Sequence, residues 1–92
     1  MRIDKWLWAV RLYKSRTIAA DACKSGKIKV NDVAVKASYI IKEGLVLTIR
    51  KNNFNLVFKV NKLIPSRVGA PIAVTCYENL TPEHELNKFN EW

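Results

Sequence analysis

The sequence predicts an α+β fold: two short N-terminal helices packed on a small, mostly antiparallel sheet, followed by a C-terminal helical extension. Three observations carry this expectation. Apolar residues recur at helical spacing up to Gly26, they alternate every second residue from Ile28 to Val60, and turn residues stand where the period changes. Ninety-two residues suffice for one small domain with one modest core. The expected division is a domain over residues 1–60 and a linker with a helical extension over residues 61–92.

The first helix rests on Ile3, Trp6, Leu7, Val10 and Tyr13, and is expected to break near Lys14 and Ser15. Ser15 then has the chemistry of an N-cap for a second helix that buries Ile18, Ala19, Ala22 and Cys23. Gly26 suits the left-handed position just past its end. Beyond it, Ile28 and Val30 and then Val33 and Val35 flank the turn pair Asn31-Asp32, which predicts a hairpin. A second hairpin follows Gly44, with Leu45, Leu47 and Ile49 on one strand, "RKNN" as its turn, and Phe54, Leu56, Phe58 and Val60 on the return. "NKLIPSRVGAP" carries Pro and Gly and reads as a linker. For "IAVTCYENL" the β-branched residues favour a strand, while Pro71 at a helix start favours a helix, the expectation adopted here. Thr81-Pro82 with Glu83 and Glu85 predicts a last short helix anchored by Leu86 and Phe89.

Apolar residues make up 49% and charged ones 26%, the balance of a folded chain. The start of the chain carries charges too early for a signal peptide, and no window approaches the roughly 20 apolar residues of a membrane span, so the expected location is cytoplasmic, with no membrane partner. Cys23 and Cys76 stand far apart with one His in the whole chain, so buried reduced thiols are expected and a metal site is not. No His–Ser or His–Cys pair, Gly-rich phosphate loop or spaced carboxylate pair is present, which argues against an enzyme and against a cofactor. His84 stands in the acidic tail and reads as a solvated helix residue.

The net charge of +8 is unevenly placed. Residues 1–51 hold 12 Lys and Arg against 4 Asp and Glu, while the remainder is balanced. A polyanion partner would therefore meet the N-terminal half. Lys5, Trp8 and Arg11, spaced three apart, share an outward face of the first helix. Arg11 leads to Lys14 and Arg16, which crowd a helix start where the dipole is already positive. A phosphate group relieves that conflict, since unpaired N–H groups and cations converge on it. Lys27 and Lys29, opposite the apolar face of the first hairpin, widen the patch. Trp6 has the spacing of a core residue, whereas Trp8 is suited either to stacking on an unpaired base or to being covered by the C-terminal segment.

The stretch "RIDKWLW…RLYKSRTIAADACKSGKIKVND…IKEGLVLTI" resembles the S-four RNA-binding domain, the alpha-L motif named after ribosomal small-subunit protein four, through Arg2-Ile3-Asp4, Ser15-Arg16-Thr17, Ala20, Gly26, Val30-Asn31 and Gly44. "DKWLW", "KSR" and "RVGAP…YENLTP" extend the likeness to the small ribosome-associated heat-shock proteins of that superfamily. Asp32 departs from the Gly usual in that hairpin turn, Ala37 from a common Pro, and Leu45 from a usual Asp. The resemblance implies a non-catalytic protein that docks on structured ribosomal RNA of the large subunit carrying peptidyl-tRNA, in rescue or quality control of stalled translation. With the charge pattern above, the residues expected to bind RNA are Arg2, Lys5, Trp8, Arg11, Lys14, Ser15, Arg16, Thr17, Lys27 and Lys29, with Arg2 and Asp4 positioning the neighbour of the capped helix. Nothing in the sequence demands more than a monomer. Two rival readings are an adaptor whose basic face docks an acidic protein, and a non-catalytic accessory subunit of an RNA-modifying enzyme.

Overall fold

The computed structural model describes residues 1–85; the tail anchors Leu86 and Phe89 lie outside them. Helix α1 (Ile3–Ala9) and helix α2 (Arg16–Lys24) precede strands β1 (Ile28–Val30), β2 (Val33–Ala34), β3 (Val46–Lys51) and β4 (Phe54–Val60). A single turn of helix, α3 (Ala70–Ala73), then leads to strand β5 (Tyr77–Asn79). The strands form one antiparallel sheet in the order β2-β1-β3-β4-β5. Both helices pack on one face of it, as the change of hydrophobic period requires.

The core is continuous from α1 through α2 to the sheet. Ile3, Trp6 and Leu7 of α1, Ala19 and Cys23 of α2, and Ile28, Leu47, Ile49, Phe58 and Val60 of the strands are all buried. In the β1–β2 turn, Asn31 and Asp32 have φ of 52° and 63°. That is the left-handed pair of a tight hairpin, which Asp adopts at modest cost although Gly is usual there. Gly26 follows the Ser25 C-cap at φ 76°, as expected.

Four elements differ from the sequence-based expectation. Helix α1 stops at Ala9 because Arg11 takes φ 64°, and Tyr13 reaches the core through the following turn instead of through a helical stripe. Arg11 accordingly lies beyond the helix that carries Lys5 and Trp8. Ile18 is 48% exposed, because α2 meets its neighbours through the small residues Ala19, Ala22 and Cys23. Of "IAVTCYENL", only the beginning is helical: Tyr77 pairs with Val60 and packs edge-on against Phe58 at 5.3 Å, so the β-branched and aromatic pattern prevails over Pro71 in the second half. The last helix does begin, at Glu83, but Thr81, expected to cap it, instead accepts from the Val57 N–H at 3.0 Å.

Residues 61–69 run across α1. The Trp6 indole N–H donates to the Lys62 carbonyl at 2.8 Å, and the Val68 N–H to the Ala9 carbonyl at 3.3 Å. Leu63 and Ile64 are partly buried against the core. No helix among the described residues is long and apolar enough to cross a membrane.

Candidate nucleic-acid interface

The start of α2 is built as the sequence suggests. The Ser15 hydroxyl accepts from the Ile18 N–H at 3.0 Å, while the N–H groups of Arg16 and Thr17 find no acceptor among the described residues. The first turn of α1 is different, since the N–H groups of Ile3 and Asp4 donate to the carbonyls of Tyr39 and Ala37. Between α1 and α2, it is the start of α2 that still offers donors to an anion.

Beside that turn lies a buried carboxylate. Asp4 is 3% exposed, accepts from Arg2 through Nε at 3.2 Å and Nη2 at 3.1 Å, and accepts from the Lys5 N–H in the first turn of its own helix at 2.8 Å. Arg16 Nε approaches the same carboxylate at 3.6 Å. Two half-exposed guanidinium groups are thus held side by side, with one positive charge left over. Arg2, Arg16 and Thr17, together with the carboxylates of Asp4 and Asp21, line a shallow cleft of about 420 Å³ on this flank of α2.

The segment from Val10 to Ser15 is held from both sides. Its backbone folds back so that the N–H groups of Leu12 and Tyr13 both donate to the Leu7 carbonyl. Lys51 donates to the Leu12 carbonyl at 3.2 Å and lies 4.9 Å from the centre of the Tyr13 ring; Arg67 donates through Nη1 to the Lys14 carbonyl at 3.0 Å. These contacts offset the cost of about 1–2 kcal/mol for a left-handed Arg11 and leave its side chain and that of Lys14 in solvent. Arg11, Lys14, Ile18 and Lys51 line a second cleft of about 420 Å³.

The remaining expected site residues separate. Ser15 and Thr17 belong to the α2 start, Lys5 is half-buried on α1, and Lys27 joins Arg50 and Lys51 beside α2. Lys29 lies on the sheet face away from the helices, because its neighbours Ile28 and Val30 point inward. Trp8 is half-buried with the Arg67 guanidinium 5.9 Å from its ring centre, which favours covering by the C-terminal segment. Arg67, Arg50 and Lys51 were not anticipated. Arg67 sits in a Pro- and Gly-bearing stretch and acts 53 residues away, so no local pattern announces it; Arg50 and Lys51 are written as part of a turn.

Burial pushes the Tyr13 hydroxyl up to about 12, with Cys23 contributing, and pushes the Cys23 thiol up to about 11, with Asp4 contributing. Both groups are neutral parts of the core. Among the described residues, no three His, Cys, Asp or Glu side chains gather as metal ligands would.

Comparison with known proteins places the fold in a family. The family model of the S4 domain matches residues 1–47. The chain is 41% identical over 78 residues to the heat shock protein 15 homolog of Haemophilus influenzae, covering 85% of this chain and 60% of that protein. It is 40% identical over 63 residues to the RQC P-site tRNA stabilizing factor of Bacillus subtilis, covering 68% of this chain and 73% of the other. A trimeric structure of Vibrio cholerae heat shock protein 15 superposes with a TM-score of 0.83 at 32% identity, over 96% of this chain and 87% of that one. The chain therefore spans about three fifths of the length of the first of these curated relatives.

Proposed function

The chain belongs to the S4 domain family, and from that premise we propose that it is an RNA-binding protein of the cytoplasm that docks on structured ribosomal RNA of the large subunit, beside a tRNA, in rescue or quality control of stalled translation. Residues 1–60 supply the RNA-binding unit and residues 61–92 an extension. The names of its relatives support the ribosomal setting: one stabilises a P-site tRNA, and others are heat shock proteins. The observation that carries the reading is the donor-bearing start of α2, flanked by the Arg2–Asp4–Arg16 cluster and by the exposed Arg11 and Lys14. Phosphates seated there receive backbone N–H groups and cations together, so recognition follows shape and backbone more than sequence.

Lys5 and Lys27 extend the surface, Ser15 and Thr17 shape the helix start, and Trp8 sets the position of Arg67. Lys29 reaches a more distant strand of the RNA from the other sheet face. The reading assigns no reaction to the chain. Its test is binding to purified large subunits at several salt concentrations. Arg16→Ala should weaken binding and flatten the logarithmic salt slope by about one unit. Unchanged affinity and slope would refute the surface. A partner retained after nuclease digestion would favour a protein adaptor instead. The free chain is expected to be a monomer, and light scattering sets that against the trimer of the Vibrio cholerae relative.

A further inference from the structure

The opposite flank of α2 carries a cleft of about 300 Å³ whose chemistry exceeds what a bare phosphate needs. Ile18, Asp21 and Ala22 occupy one face of the helix there, at spacings of three and four. Lys27, Arg50 and Lys51 stand opposite. Ile18 is 48% exposed, an apolar floor open to solvent. Lys51 is held in place by the Leu12 carbonyl and the Tyr13 ring. Asp21 is exposed and shares the cleft with three cations, yet joins no ion pair among the described residues.

An apolar floor, a cationic rim and a carboxylate outside any ion pair suit a ligand with three matching parts. A phosphate ion leaves the floor unused and is repelled by Asp21, and so is an acidic side chain. A nucleotide satisfies all three features: the face of the base covers the floor, the phosphate meets the rim, and an amino group on the base edge finds an acceptor. The base must be unpaired to present both face and edge. The adjoining cleft of Arg11 and Lys14 shares Ile18 and Lys51 with this one, so a strand leaving it passes directly to the start of α2.

The geometry points to a binding site for one unpaired nucleotide, its base on Ile18 and Ala22, a base amino group donating to Asp21, and its phosphate on Lys27, Arg50 and Lys51. The inference rests on the RNA-binding reading and adds to it a pocket with a base preference. Cytosine carries a donor where uracil carries an acceptor, so cytosine is favoured over uracil.

The test is amide NMR of the whole chain titrated with cytidine monophosphate or uridine monophosphate, which carry equal charge. Cytidine monophosphate should shift the amides of Ile18, Ala22 and Lys51 and bind about fivefold tighter than uridine monophosphate, the worth of one hydrogen bond. Asp21→Asn should remove that difference, since its amide also donates to uracil, and Ile18→Ser should weaken both ligands. Equal affinities in the unmodified chain, or shifts that bypass these three amides, overturn the cleft. A fully paired RNA duplex titrated in parallel reports separately on Arg16 and Thr17, so failure of the cleft is distinguishable from failure of the RNA-binding surface.

Discussion

Asp4 decides how the basic surface is organised, although it is an acid. Its carboxylate orients Arg2 and Arg16 and is itself buried, so its role is separable from net charge. If charge alone governed RNA affinity, Asp4→Asn would tighten binding by making the chain more positive. The geometry predicts the reverse, weaker binding of large subunits together with a stability loss of about 1–3 kcal/mol in urea unfolding, from hydrogen bonds to a charged group. Arg67 is the matching case on the other side of the turn. Arg67→Ala removes the bond to Lys14 and the contact with Trp8, and should cost about 1–2 kcal/mol; Arg67→Lys should not restore it, because the planar group is what both contacts use. Cys23 and Tyr13 set the alkaline limit. Both hold their protons more tightly folded than unfolded, so their contribution is complete below about 9 and falls as pH rises through about 11 and 12. Urea midpoints should be level near neutrality and decline above pH 9, and Cys23→Ala should remove the earlier part of that decline.

At the scale of elements, the local signals were mostly legible. The Ser15 cap, the Gly26 stop and the Asn31-Asp32 turn stand where residue chemistry places them, because each depends on its immediate neighbours. Ser15→Ala should cost about 1 kcal/mol and loosen the start of α2, read as faster amide exchange at Ile18. Asp32→Gly should instead stabilise the first hairpin by about 0.5–1 kcal/mol, since a left-handed φ of 63° suits Gly better than Asp. The end of α1 was not legible. Arg11 carries no turn signature, and its conformation is held by Lys51 and Arg67 donating to the carbonyls of Leu12 and Lys14 just after it. The exposure of Ile18 was hidden for a related reason: helical spacing identifies a face but not how much of that face a neighbour covers.

For the molecule as a whole, the stretch after Val60 completes the fold. It satisfies the Trp6 indole, adds β5 to the sheet edge and holds the turn that presents Arg11 and Lys14. A fragment ending at Val60 is therefore expected to lose its cooperative thermal transition by circular dichroism, whereas a fragment ending at Glu85 should keep it. The amino-acid order by itself determined the two helices, the hairpins, the basic half and the family, because these follow from periodicity, capping chemistry and charge, which act between near neighbours. Only the tertiary structure decided which cations share a surface. It parted Lys29 from Lys27, tied Arg2 and Arg16 to one carboxylate, and brought Arg67 across 53 residues to Lys14, since such pairings arise when packing closes the chain on itself.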